Sequence, residues 1–173
     1  SHGIHDSIGT RNAPALMNLA WNTTFMWDGA VNHLDMQPLA PINHPGEMAE
    51  STQHVVFKLE NSRTYRRLFT EAFGDSMILS DRMLKALAQF QLSLVSAGSR
   101  YDRMKSGAEL FTAQEQNGYL LFQAHCNVCH KEPLFTTGEF TNNGLPPDSL
   151  LRDGGRIRIT HDPNDSLMFK IPT

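Results

Sequence analysis

Long apolar runs are missing from this 173-residue chain. None approaches the roughly 18 residues of a membrane helix, which argues against an integral membrane segment. Basic runs are missing as well. Fifteen Lys and Arg stand against eighteen Asp and Glu, for a net charge of −3. Nothing concentrates positive charge as a nucleic-acid surface would, so nucleic acid is not an expected partner. Charge is sparse at 19%, beside 40% hydrophobic residues, a composition close to that of a soluble globular protein. The length allows one sizeable core or two small domains. Internal repeats and low-complexity segments are absent. Only two cysteines are present.

Both cysteines fall in one segment, Cys126-Asn127-Val128-Cys129-His130. Cys-x-x-Cys-His is the pattern for covalent attachment of a c-type haem. Each thiol can add across one haem vinyl group, and the histidine that follows is carried under the porphyrin, where its imidazole can bind iron axially. Three other readings compete. A thioredoxin-like Cys-x-x-Cys expects a strand–helix unit, whereas the stretch before Cys126 reads as helix. A structural zinc site would need two further ligands from the eight histidines. A disulfide across so short a loop leaves His130 unexplained. Haem is the reading that uses all three residues. Attachment of this kind takes place outside the cytoplasm, so an export signal is expected before Ser1, and the chain reads as a piece of a longer protein.

Periodicity and punctuation predict a mainly helical chain. Residues 1–14 read as a loop ending at Pro14, followed by a short helical stretch from Ala15 to Trp21. Gln37 to Gly46 contains three prolines in ten residues, which predicts a loop without regular structure. Glu47 to Lys58 reads as a helix, and Ser62 caps another that ends at Gly74. Met83, Leu87, Phe90 and Leu94 recur at helical spacing between Ser80 and Val95, predicting a helix with a wide, well-buried apolar face. Ser99 to Gly107 reads as a polar break and a domain boundary. Thr112-Ala113-Gln114-Glu115 fits a capping box that opens a helix to about Ala124. Beyond the haem motif, glycine and proline interrupt any period, and Arg156 to Thr160 is at most a short extended piece.

Other residues carry two readings each. Gln37 and Glu47 bracket the proline-rich segment, and a carboxylate there could move a proton between the oxygens of bound peroxide. Glu47 in the first turn of a helix, favourable to its dipole, is the alternative. Trp27 could relay electrons through its indole or be a half-buried aromatic beside a turn. Met168 could ligate iron or simply pack.

Taken in order, Arg11-Asn12-Ala13-Pro14, Trp27-Asp28-Gly29, Gln37, Pro41-Ile42-Asn43, Pro45-Gly46-Glu47-Met48, Cys126 to His130, Phe135-Thr136, Gly144-Leu145-Pro146, Asp162-Pro163 and Phe169-Lys170-Ile171-Pro172-Thr173 resemble the bacterial di-haem cytochrome c peroxidase and MauG family. The resemblance implies a mainly α fold of two partial cytochrome-c-like haem domains with long irregular loops. Residues 1–97 would be the remainder of the N-terminal peroxidatic domain, and 98–173 the first part of the C-terminal electron-transfer domain. It implies a periplasmic enzyme that reduces hydrogen peroxide to water with electrons from a small cytochrome c or cupredoxin, and it leaves room for a homodimer. Cys126, Cys129 and His130 would hold the electron-transfer haem. Trp27 matches the tryptophan between the haems, Gln37 and Glu47 the peroxidatic pair, with Glu47 as acid–base catalyst. Asn12 matches a calcium ligand at the domain interface, Pro172 lies at that ion's carbonyl ligands, and His5 is adjacent to the position of a distal iron ligand that some members carry.

Departures from the pattern are informative. The first Cys-x-x-Cys-His would precede Ser1, and the methionine ligand of the electron-transfer haem would follow Thr173. The piece on its own is therefore expected to be inactive. Ala30 stands where the family often has arginine after Trp-Asp-Gly. A MauG-like oxidase acting on a protein substrate and a c-type electron-transfer module without peroxide turnover are the alternatives to a peroxidase.

Overall fold

The computed structural model describes residues 2–172, so Thr173, which closes the last of the family-like motifs, lies outside the described residues. Helices dominate: α1 (Leu39–Asn43), α2 (Thr52–Glu60), α3 (Arg63–Phe73), α4 (Ser80–Ser93), α5 (Arg100–Lys105), α6 (Ala113–His125) and α7 (Ile157–Thr160). Two short strands, β1 (Phe140–Thr141) and β2 (Phe169–Lys170), pair antiparallel with Phe140 opposite Lys170.

The helix boundaries follow from local chemistry. Ser51 caps α2 by accepting from the His54 amide at 3.1 Å. α3 ends at Gly74, whose φ of 85° is the left-handed conformation that closes a helix. Thr112 and Glu115 form the expected capping box at the start of α6. A second capping box, Ser99 with Asp102, turns the expected polar break into α5. The proline-rich segment likewise contains a helix. Pro38 sits at the N-cap of α1 and Pro41 in its first turn, where the amide would have no intrahelical partner anyway. Two expectations change in extent. Ala15 to Trp21 supplies only a 3₁₀ turn at Leu19–Trp21, entered through a left-handed Asn18. Arg156 to Thr160 closes into the single turn of α7 instead of extending.

Ile42, Phe69, Ile78, Met83 and Leu84 make the core, with Leu39, Val55, Val56, Leu59 and Phe73 packed around them. α1 to α4 thus share one apolar centre. α4 is less buried than its apolar face predicts: Leu87 is 38% and Phe90 59% exposed. α4 packs against α2 and the 3₁₀ turns at Leu34–Met36 and Leu19–Trp21, which cover one side only. The later part of the chain gathers aromatic rings instead. Phe135 meets Tyr101 edge-on at 4.8 Å and Phe122 at 5.4 Å, and Tyr119 lies between Tyr101 and Phe111.

Candidate functional site

α6 delivers the cysteine motif. Cys126 is its C-cap, and turns carry the chain on, with the Cys129 and His130 amides both donating to the Cys126 carbonyl at 3.2 and 2.9 Å. The two thiols are free and exposed. His130 is half-buried, and its Nδ1 lies 3.0 Å from the Phe135 carbonyl oxygen. A carbonyl only accepts, so Nδ1 carries the proton and Nε2 is left with its lone pair for a metal. Phe135 is itself held between Tyr101 and Phe122. Free thiols at this spacing and an imidazole fixed in the ligating tautomer fit a covalently attached haem. The zinc reading finds no support in the geometry. Among the described residues, no group of three or more His, Cys, Asp or Glu side chains is placed to hold a metal ion.

Trp27 lies in a loop tied at several points. Its indole Nε1 donates to the Asn12 carbonyl at 2.7 Å, and its own carbonyl accepts from the Lys170 amide at 2.7 Å. Trp27, Gln37, Met26, Lys170 and Pro172 border one cavity of about 70 Å³. The Gln37 amide points at the Met26 sulfur, 3.9 Å away. Lys170 donates through Nζ to the Thr24 carbonyl, and burial holds its pKa below the usual lysine value.

Glu47 stands apart from that cavity. It lies in the turn between α1 and α2 and not in a helix's first turn, because α2 starts only at Thr52. Its amide donates to the His44 carbonyl at 3.0 Å, and its carbonyl accepts from Ile4 at 2.7 Å. The segment carrying His5 is therefore laid against this turn, although the His5 side chain is exposed. Gly3 makes the approach feasible, since a Cβ there would sit 1.9 Å from the Gly46 carbonyl oxygen. The structure thus groups Trp27 and Gln37 with Asn12 and Pro172, groups Glu47 with His5, and places Cys126, Cys129 and His130 on a third element. Asn12 and Pro172 are both exposed; the Asn12 main-chain carbonyl accepts from the Trp27 indole, and Pro172 borders the cavity beside that tryptophan. A side-chain amide and a main-chain carbonyl are neutral oxygens of the kind calcium accepts.

Sequence reasoning missed an ion-pair clamp. Arg11 donates from Nη1 to Asp28 at 2.6 Å and from Nε and Nη2 to both carboxylate oxygens of Asp153. Arg156 donates to the Asp28 carbonyl at 2.9 Å and lies 4.0 Å over the Phe140 ring. Gly29 is required here: its φ is 72°, and a Cβ would meet Phe140 at 2.4 Å. The Asp153 carboxyl is held below its ordinary range, chiefly by Arg11. Partners 142 residues apart leave no local pattern to read. Sequence reasoning also missed Glu132, beside the haem motif, which accepts from Tyr119 at 3.1 Å and Lys105 at 3.2 Å. Burial raises its pKa, and those two donors more than reverse this.

Comparison with known proteins gives a consistent result. The family model described as di-haem cytochrome c peroxidase matches residues 1–110. The methylamine utilization protein MauG of Methylophilus methylotrophus is 37% identical over 147 residues, covering 82% of this chain and 44% of that protein. Cytochrome c551 peroxidase of Nitrosomonas europaea is 34% identical over 170 residues, covering 95% of this chain and 51% of that protein. The crystal structure of a MauG-like protein associated with microbial copper homeostasis superposes with a TM-score of 0.85 at 29% identity, covering 99% of this chain and 57% of that one. The chain spans about half the length of the curated relatives it matches.

Proposed function

Because the chain belongs to the di-haem cytochrome c peroxidase family, we propose that it is part of a periplasmic enzyme that reduces hydrogen peroxide to water with electrons from a small cytochrome c or cupredoxin. Residues 1–97 form the peroxide-reacting part and 98–173 the electron-entry part. The observation that carries this reading is the His130 imidazole, held by the Phe135 carbonyl in the tautomer that can ligate iron, directly after two free thiols. Haem, when bound, supplies the redox-active iron at which peroxide is reduced. The reduction consumes two electrons and two protons and releases two waters. Glu47 handles the protons: its carboxylate takes one from the nearer peroxide oxygen and returns it to the departing one. Its fixed turn supports that role. Gln37 orients the peroxide through its amide, and Trp27 carries electrons between the two parts. A calcium ion on Asn12 and Pro172 belongs to the same proposal, and so does His5 as a neighbour of the Glu47 turn.

Glu47→Gln in the complete protein is expected to lower peroxide turnover by about 10²- to 10⁴-fold while haem content and reduction potentials stay as they were. Unchanged turnover would remove Glu47 from the mechanism. The identity to MauG favours a second reading, an oxidase acting on a protein substrate. The second protein ligand of the haem at His130, identified in the complete protein, would separate the two readings, methionine for the peroxidase and tyrosine for the oxidase.

A further inference from the structure

His130 and Trp27 are 103 positions apart in the chain, yet the structure joins them by a short series of hydrogen bonds and peptide links. The imidazole Nδ1 donates to the Phe135 carbonyl at 3.0 Å. One peptide bond further, the Thr136 hydroxyl donates to the Ile171 carbonyl at 2.6 Å. One peptide bond back from Ile171, the Lys170 amide donates to the Trp27 carbonyl at 2.7 Å. The arrangement is braced on both sides. The Ile171 amide donates to the Glu139 carbonyl at 3.0 Å, and the Thr136 oxygen accepts from the Gly138 amide at 3.0 Å. Ile171 is only 6% exposed and Thr136 half-buried, so water competes little for these bonds. Between the imidazole and the Trp27 carbonyl, the Thr136 hydroxyl is the one side chain in this series, and it makes a shorter crossing than the main-chain bond from Ile171 to Glu139, three residues further along the chain.

We propose that the Thr136 hydroxyl is a positioning residue for electron transfer, coupling the His130 imidazole to Trp27 through Ile171 and Lys170. This inference rests on the reading of His130 as haem ligand and Trp27 as relay. A reduced small redox protein supplies the electron, and the oxidised peroxide-reacting centre receives it. One electron moves, and no covalent bond is made or broken. Main-chain amide protons stay with their donors, as does the hydroxyl proton on Thr136. The hydroxyl matters because a short hydrogen bond keeps donor and acceptor segments in contact, whereas two non-polar groups at the same place would be held only at van der Waals separation. Valine has the shape of threonine without the hydroxyl; serine keeps the hydroxyl.

The test uses the complete, haem-loaded protein. After photoreduction of the haem at His130, transfer to the peroxide-reacting centre is followed by absorbance, and both reduction potentials are titrated. Thr136→Val is expected to slow transfer several-fold with both potentials unchanged, and Thr136→Ser to restore the parental rate. Amide exchange gives a second readout: Thr136→Val frees the Gly138 amide while the Lys170 amide stays protected. Transfer at the parental rate in Thr136→Val overturns the proposal. So does slow transfer accompanied by shifted potentials, which means that the substitution acts through the haem sites themselves, or slow transfer in Thr136→Ser, which means that the hydroxyl is not the group that sustains the rate. Trp27→Phe is measured alongside. If it slows transfer and Thr136→Val does not, only this inference fails; if Trp27→Phe is without effect, the relay reading beneath it fails.

Discussion

At the scale of single residues, Arg11 shows how much one guanidinium can organise. Its planar fork meets both oxygens of Asp153 and one oxygen of Asp28, a geometry that lysine cannot reproduce. The Asp153 side chain is only 12% exposed, so its charge is compensated where water screens poorly. Arg11 holds the Asp153 carboxyl below its ordinary value of 3.8. The folded state therefore takes up this proton less readily than the unfolded chain. The stabilisation is complete above pH 3.8 and is lost as the pH falls through the lower folded value. Urea midpoints measured from roughly pH 5 downward are expected to fall less steeply for Asp153→Asn than for the parent, in addition to a lower midpoint at neutral pH. Equal acid slopes would mean that the clamp contributes nothing to folding.

Among the elements, α6 leads directly into the Cys-x-x-Cys-His motif, with Cys126 as its C-cap. It has no fully buried residue, and Leu120 and Leu121 are 54% and 62% exposed. A helix with so little packing depends more than usual on its ends. The Thr112 hydroxyl accepts from the Glu115 amide, and Glu115 returns the bond to the Thr112 amide at 2.8 Å. Thr112→Ala is expected to cost about 1 kcal/mol in chemical denaturation, with Thr112→Ser close to the parent. No difference between Ala and Ser would show that aromatic packing alone sets the helix. α1 illustrates the opposite balance. Its prolines are tolerated because a helix this short consists almost wholly of first-turn positions, and Ile42 anchors it in the core.

For the whole molecule, the notable point is that the beginning of the chain is joined to its end. Arg11 reaches Asp153, Asp28 takes Arg156, and the Trp27 carbonyl takes Lys170. Asn12 and Pro172 flank the same tryptophan from those two ends. An ion held between them would stabilise only the folded chain. Removing calcium with a chelator from the complete protein is expected to lower the melting temperature by several degrees, and Asn12→Ala to abolish that sensitivity. A melting temperature indifferent to chelation would rule out calcium at Asn12 and Pro172.

The sequence alone determined what depends on neighbours in the chain. The haem-attachment motif, the capping box at Thr112, the glycine stop at Gly74 and the periodicity of α4 are all set by residues a few positions apart, whose hydrogen bonds and faces form whatever the rest of the molecule does. Family-like motifs extended that reading to Glu47, Gln37 and Trp27. Tertiary structure decided what those motifs touch. It set Glu47 on a turn braced by Ile4, left half of α4's apolar face open, and drew Arg11 to Asp153 and Thr136 to Ile171. A charge or hydroxyl has many chemically equivalent partners along a chain, and only the three-dimensional course of the backbone brings one of them within bonding distance.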